Sequence, residues 1–221
     1  ALQPTNLLAK LIKGNSYMYQ EKFKEAQKIF VEITISAPEN PVGYYRLGLL
    51  HRLQKQNNLA MTNFQKALEI NPNLMDVFTN VVALYASQKE FETALADCDQ
   101  QLEKVGDNKT AKAMIYNLKG GVYLAQQNRV EAEAAYQKAL AENPDFLPPY
   151  SALAVMYVND NKVDQAIAQY KTVLEKKPDQ AGAHMVLGTI YDINHQTDLS
   201  EKHYRAALKI DPDFAPAANN L

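Results

Sequence analysis

Residues 57–72 read NNLAMTNFQKALEINP. Ala60, Phe64, Ala67 and Leu68 fall four, seven and eight positions along, which places them on one face of an amphipathic helix. Asn71 and Pro72 end it, because proline cannot continue a helix and biases the residue before it toward extended backbone. The same sentence returns at 129–144, RVEAEAAYQKALAENP, and at 197–212, TDLSEKHYRAALKIDP. Working outward, the small residues Ala26, Ala60 and Ala94 are spaced by 34, and so are Ala132, Ala166 and Ser200, with one step of 38 between the two sets. Aromatics keep phase at Phe30, Phe64, Tyr136, Tyr170 and Tyr204, where Cys98 is the odd member. Prolines close the units at Pro38, Pro72, Pro144, Pro178 and Pro212, and Gly106 takes the missing place. Upstream stand Gly14, Gly48, Gly120 and Gly188, with Val82 and Ala154 in the other two units. Three residues later come Tyr17, His51, Tyr85, Tyr123, Tyr157 and Tyr191. A pattern of this period is a stack of supersecondary units, each too small to bury its own apolar face.

A 34-residue unit carrying glycine, tyrosine, alanine, aromatic and proline in that order resembles the tetratricopeptide repeat. The resemblance covers residues from about 7 to 212. It implies an all-α fold, an α-solenoid of antiparallel helix pairs in a right-handed superhelix. The expected organisation is a single array over 1–221. Its repeats run 7–40, 41–74, 75–108, 113–146, 147–180 and 181–214, and 215–221 begin a further repeat or a cap helix. The repeat style, including the terminal FAPAANN of residues 214–220, is similar to that of bacterial repeat proteins. The small slots let two helix backbones approach, and the aromatics fill the space beside them.

Two departures stand out. Four extra residues lie around 105–112, close to one helical turn; Gly106, Asp107 and Asn108 ahead of Thr110 read as a loop and N-cap before a lengthened helix. Apolar repeat-like sequence at both ends makes the chain read as an interior stretch of a longer protein.

The charge balance of 23 Lys and Arg against 25 Asp and Glu, net −2, gives no basic block for nucleic acid. No apolar run approaches the ~20 residues needed to cross a bilayer. A mean hydropathy of −0.37 belongs with water-soluble chains. One cysteine, Cys98, excludes an internal disulfide and leaves cytoplasm and periplasm both open.

Catalytic chemistry is looked for and not found. His51 and His184 occupy aromatic slots and read as structural histidines. His195 and His203, eight apart with Asp198 and Glu201 between, lack zinc-like spacing. Asp97 and Asp99 beside Cys98 oppose a thiolate. No phosphate loop, nucleophile elbow or metalloprotease signature is present. The reading is a chain without enzymatic activity, cofactor or metal. Asn108-Lys109-Thr110 forms a glycosylation sequon, which matters only in a secreted eukaryotic protein.

The resemblance implies a concave groove lined by the first helix of each unit. On the matching slots the groove residues are Asn15, Tyr19, Tyr45, Arg46, Leu49, Arg52, Asn80, Asn117, Leu118 and Val155. The lysine, arginine and asparagine set by which some family members clamp a terminal carboxylate is not matched, since Leu8, Leu11 and Asp76 hold its basic slots. The asparagine ladder of others is absent too. What remains is apolar and weakly basic, suited to a peptide or an amphipathic helix. The expected function is a protein-interaction scaffold. The alternative is a regulatory or substrate-recruiting arm of a larger enzyme or of an envelope or export complex. Self-association through exposed terminal helices is a further expectation, and direct membrane insertion is not expected.

Overall fold

A computed structural model describes residues 4–220, which form helices joined by short turns and connections, with no strand among the described residues. The chain divides between Asn128 and Arg129 into two compact units. The first holds α1 (Pro4–Tyr19), α2 (Phe23–Ser36), α3 (Pro41–Leu53), α4 (Asn57–Ile70), α5 (Met75–Ser87), α6 (Phe91–Lys104) and α7 (Lys109–Ala125). The second holds α8 (Arg129–Glu142), α9 (Pro148–Asn159), α10 (Val163–Lys176), α11 (Ala181–Ile193), α12 (Thr197–Ile210) and the short α13 (Ala215–Ala218). The fold is all-α, with antiparallel helix pairs of tetratricopeptide type. The helices α2, α4, α6, α8, α10 and α12 are each 14 residues long.

The same turn precedes each of these six helices. Glu21, Lys55, Lys89, Gln127, Asn161 and His195 all lie in the left-handed region, at φ 56–62°. The N–H of the following residue then reaches back to the carbonyls of Tyr17, His51, Tyr85, Tyr123, Tyr157 and Tyr191, at 2.8–2.9 Å. This is the double hydrogen-bonded helix stop usually built on glycine. No glycine marks it here, so sequence reading does not find it. The acceptors are the members of the recurrent tyrosine and histidine slot.

The turn from one pair to the next adds side-chain acceptors to backbone bonds such as that from Phe146 N–H to the Asn143 carbonyl, 3.1 Å. Asn71, Asn143 and Asp211 each accept the N–H two residues on, at 2.9, 3.0 and 3.2 Å, just where the proline breaks the helix. Asn40 caps α3 through Val42 N–H at 3.0 Å. Asn108 caps α7 through Ala111 N–H at 3.1 Å, so the extra residues do form a left-handed Gly106 loop, an N-cap and a helix lengthened at its start, to 17 residues.

The buried slots are those the phase marks. Ala26, Ala60, Ala94, Ala132 and Ala166 are fully buried. Ser200 takes the sixth place by donating its hydroxyl to the Thr197 carbonyl at 2.9 Å. A Cβ added to Gly14 or Gly48 would lie 2.4 Å from the ring of Phe30 or Phe64, and one on Gly188 would lie 2.6 Å from Tyr204. In the third pair the sizes are exchanged: Val82 stands where glycine does elsewhere and Cys98 where the aromatic does, both inside one buried cluster. Burial pushes the Cys98 thiol up to about 12, the opposite of what a nucleophile needs. Gln101, at 2% exposure, occupies a slot held by Ala67 or Ala139 in sister pairs and donates its amide to the Pro72 carbonyl. Nothing in the local sequence announces that contact.

Candidate groove on the first helices

The ten groove residues separate by environment. In the first unit, Tyr45 and Leu49 are partly buried against the Phe64 cluster, with the Tyr45 and Phe64 rings 6.1 Å apart. Leu118 packs in the same way on the cluster around Ile115. These three are as much core as surface. Asn15 and Asn117 are half-buried on α1 and α7. Tyr19, at the end of α1, is 96% exposed, and Leu8 and Ile12 on that helix are 59% and 61% exposed. Leu53, at the end of α3, is 57% exposed. Leu8, Ile12 and Tyr19 are spaced by four and seven, one stripe of α1.

Two cations stand on α3. Arg46 lies over the Tyr45 ring, 5.7 Å from its centroid, an attraction of ring quadrupole and cation. Its Nε is buried without a hydrogen-bond partner among the described residues. Arg52, six residues or about 1.7 helical turns beyond Arg46, donates to Asn80 Oδ1 on α5, and the Asn80 amide donates in turn to the Asp76 carbonyl at 2.7 Å. Among the described residues neither arginine has a carboxylate within ion-pair distance. A cleft of about 360 Å³ opens between α3, α5 and α7, with Tyr45, Met75, Asp76, Thr110 and Met114 in its wall. Arg52 and Asn80, placed in the groove separately by their slots, are thus brought together; the hydrogen bond between them depends on the stagger of α3 and α5.

In the second unit Val155 of α9 is 58% exposed. A smaller cleft of about 220 Å³ lies between α9, α10 and α11, lined by Ser151, Tyr170, Gly182 and Val186.

The histidines take structural places. His51 is buried, and its Nδ1 donates to Gln56 Oε1 at 2.7 Å. His195 is exposed in a turn, and His203 meets His184 instead. Among the described residues no three potential ligands gather around one point. No helix among them is long and apolar enough to cross a membrane.

Family profiles described as tetratricopeptide repeat match residues 41–74, 123–190 and 181–214. The chain is 24% identical over 166 residues to anaphase-promoting complex subunit 3 of Schizosaccharomyces pombe, across 75% of its own length and 24% of that protein's. It is 32% identical over 106 residues to the type IV pilus assembly protein PilF of Pseudomonas aeruginosa, across 48% of its own length and 39% of the relative's. It therefore spans well under half the length of either relative. Among solved structures, that of PilW, a type IV pilus biogenesis factor, superposes with a TM-score of 0.66 at 19% identity, covering 100% of this chain and 99% of the other. That likeness concerns the fold.

Proposed function

This chain belongs to the tetratricopeptide repeat family, and from that premise we propose that it holds a partner polypeptide in the groove of its first helices. The fold is a scaffold for protein–protein interaction; the groove and the kind of partner are our reading. One observation carries it. An exposed apolar stripe of Leu8, Ile12 and Tyr19 on α1, with Leu53 on α3, lies in the same unit as two arginines that no carboxylate answers among the described residues. A partner matching both features is an amphipathic helix or apolar peptide bearing an acidic residue, which would form a charge-assisted hydrogen bond with Arg46 or Arg52. The chain acts here as a non-enzymatic holder, with its thiol held protonated and its buried histidine satisfied. We also read the six pairs as one array, an extension supported by the match over 123–190, which runs across Asn128 and Arg129.

The test is binding of amphipathic peptides, with and without an acidic residue beside the apolar stripe, followed by fluorescence anisotropy. Arg46→Glu with Arg52→Glu and Leu53→Asp is expected to weaken the acidic peptides at least tenfold, since one charge-assisted hydrogen bond contributes about 1.5–3 kcal/mol. Leu53 serves better than Leu49, which packs on the core. Equal affinity of wild type and variant, at unchanged helicity, removes the groove from consideration.

A second reading has its own support. Sequence likeness to PilF and fold likeness to PilW, over the full length of each chain in the latter case, favour an assembly or biogenesis factor in a cell-surface machine of the pilus kind. In that reading the groove would recruit a component of the machine.

A further inference from the structure

In the second unit two histidines from successive helices meet. His184 Nδ1 on α11 lies 2.9 Å from His203 Nδ1 on α12. The other nitrogen of His184, Nε2, lies 3.1 Å from the carbonyl oxygen of Pro178, in the turn before α11. A carbonyl only accepts, so Nε2 carries the hydrogen, and the neutral His184 ring presents a bare lone pair at Nδ1. The neutral pair is then one chain of donors, from His203 Nδ1–H to His184 Nδ1 and from His184 Nε2–H to Pro178.

The geometry identifies the contact as a hydrogen bond. The ring centroids are 5.2 Å apart, which is the nitrogen separation plus one ring radius at either end, so the two Nδ1 atoms point straight at each other. A tetrahedral metal with bonds of 2.0–2.1 Å would hold the nitrogens about 3.3 Å apart with their lone pairs converging on a third point. His203 is held in plane from the other side by Tyr191, stacked at 5.5 Å and 20°.

Such a line holds one hydrogen between its nitrogens. A first added proton leaves the bond intact, because one imidazolium still donates to one neutral ring. A second puts hydrogens on both Nδ1 atoms and two positive rings face to face. We propose that the His184–His203 pair is an acid-sensitive latch that ties the α11–α12 hairpin to the turn at Pro178 and lets it go when a second proton is bound. The charged groups around it work in the same direction. Burial first, then His184, Lys202 of α12 and Lys171 of α10 hold the His203 imidazole down to about 4. Tyr191 supplies the α11 side, and α13, packed on α12, has no titratable residue. The sign follows: a folded-state value below the ordinary 6.5 means that the unfolded chain binds more protons in this range. Stability from the pair is therefore complete above about pH 6.5 and is lost as pH falls toward 4.

Hydrogen exchange on the whole chain, normalised to intrinsic rates, tests this between pH 7 and 4. Amide protection in 181–210 is expected to fall at least tenfold relative to α3 and α4 in the wild type, and to stay level in His203→Gln. An equal fall in both proteins overturns the latch. NMR titration of the unmodified chain gives a second reading that needs no variant. The His203 ring should titrate near pH 4, well below the ordinary imidazole value of about 6.5. Titration of the His203 ring at the ordinary value of about 6.5 also overturns it.

Discussion

Phe64→Ala is expected to lower the stability of the first unit by about 3–5 kcal/mol, the range for removing a large buried aromatic. Phe64 is fully buried, and its ring lies where the side chain of residue 48 would be if that residue were not glycine. The two positions are therefore one object. Gly48→Ala alone should also destabilise, because its methyl would sit 2.4 Å from the ring; overpacking costs about 1–3 kcal/mol, against a helix-propensity gain of about 1 kcal/mol. In the Phe64→Ala background the same methyl enters vacated space, and Gly48→Ala should become neutral or stabilising. Exchange of the slowest amides in α3 and α4 measures all four proteins. Additivity within about 0.5 kcal/mol would mean that the glycine and the ring are independent.

Cys98→Phe should produce the complementary result. It restores the aromatic that the other five pairs carry, yet it is expected to destabilise the first unit by about 1–3 kcal/mol or more. Val82, 4% exposed, occupies the space that glycine leaves free in the first two pairs. Adding Val82→Gly should recover much of the loss, although Val82→Gly by itself leaves a hole and a flexible residue in mid-helix. The decisive comparison is the double variant against the sum of the two singles, by denaturant unfolding followed at α5 and α6. If the double variant is as poor as that sum, the third pair has not exchanged sizes between slots and accommodates Cys98 in some other way.

These pairs show how much of the fold is legible in the sequence. Residues whose role is set by helical phase announce themselves: Ala60, Phe64 and Pro72 recur because every pair needs a close approach, a filler and a stop. Cys98 was visible as an exception for the same reason. Contacts that depend on how two helices are staggered leave no such trace. Arg52 to Asn80, Gln101 to Pro72 and His184 to His203 join residues 28, 29 and 19 apart. Each involves side chains whose types are ordinary on a helix surface. The groove was partly legible: its slots come from the repeat. Only the packing shows that Tyr45, Leu49 and Leu118 lean on the core, while Leu8, Ile12 and Tyr19 face solvent.

The left-handed turn inside every pair also decides where such a gene can gain or lose codons. Two backbone hydrogen bonds and a fixed φ leave that turn no slack, and one inserted residue would swing the second helix by about 100°, carrying Ala60 and Phe64 off their buried face. The passage from one pair to the next has no residue at positive φ at Asn71 or Asn143, where a side-chain acceptor joins the backbone bonds, and extra residues there can be taken up by lengthening the next helix. The one change of spacing in this chain, the four residues before Ala113, lies in such a passage, and its whole cost to the architecture is one added turn at the start of α7.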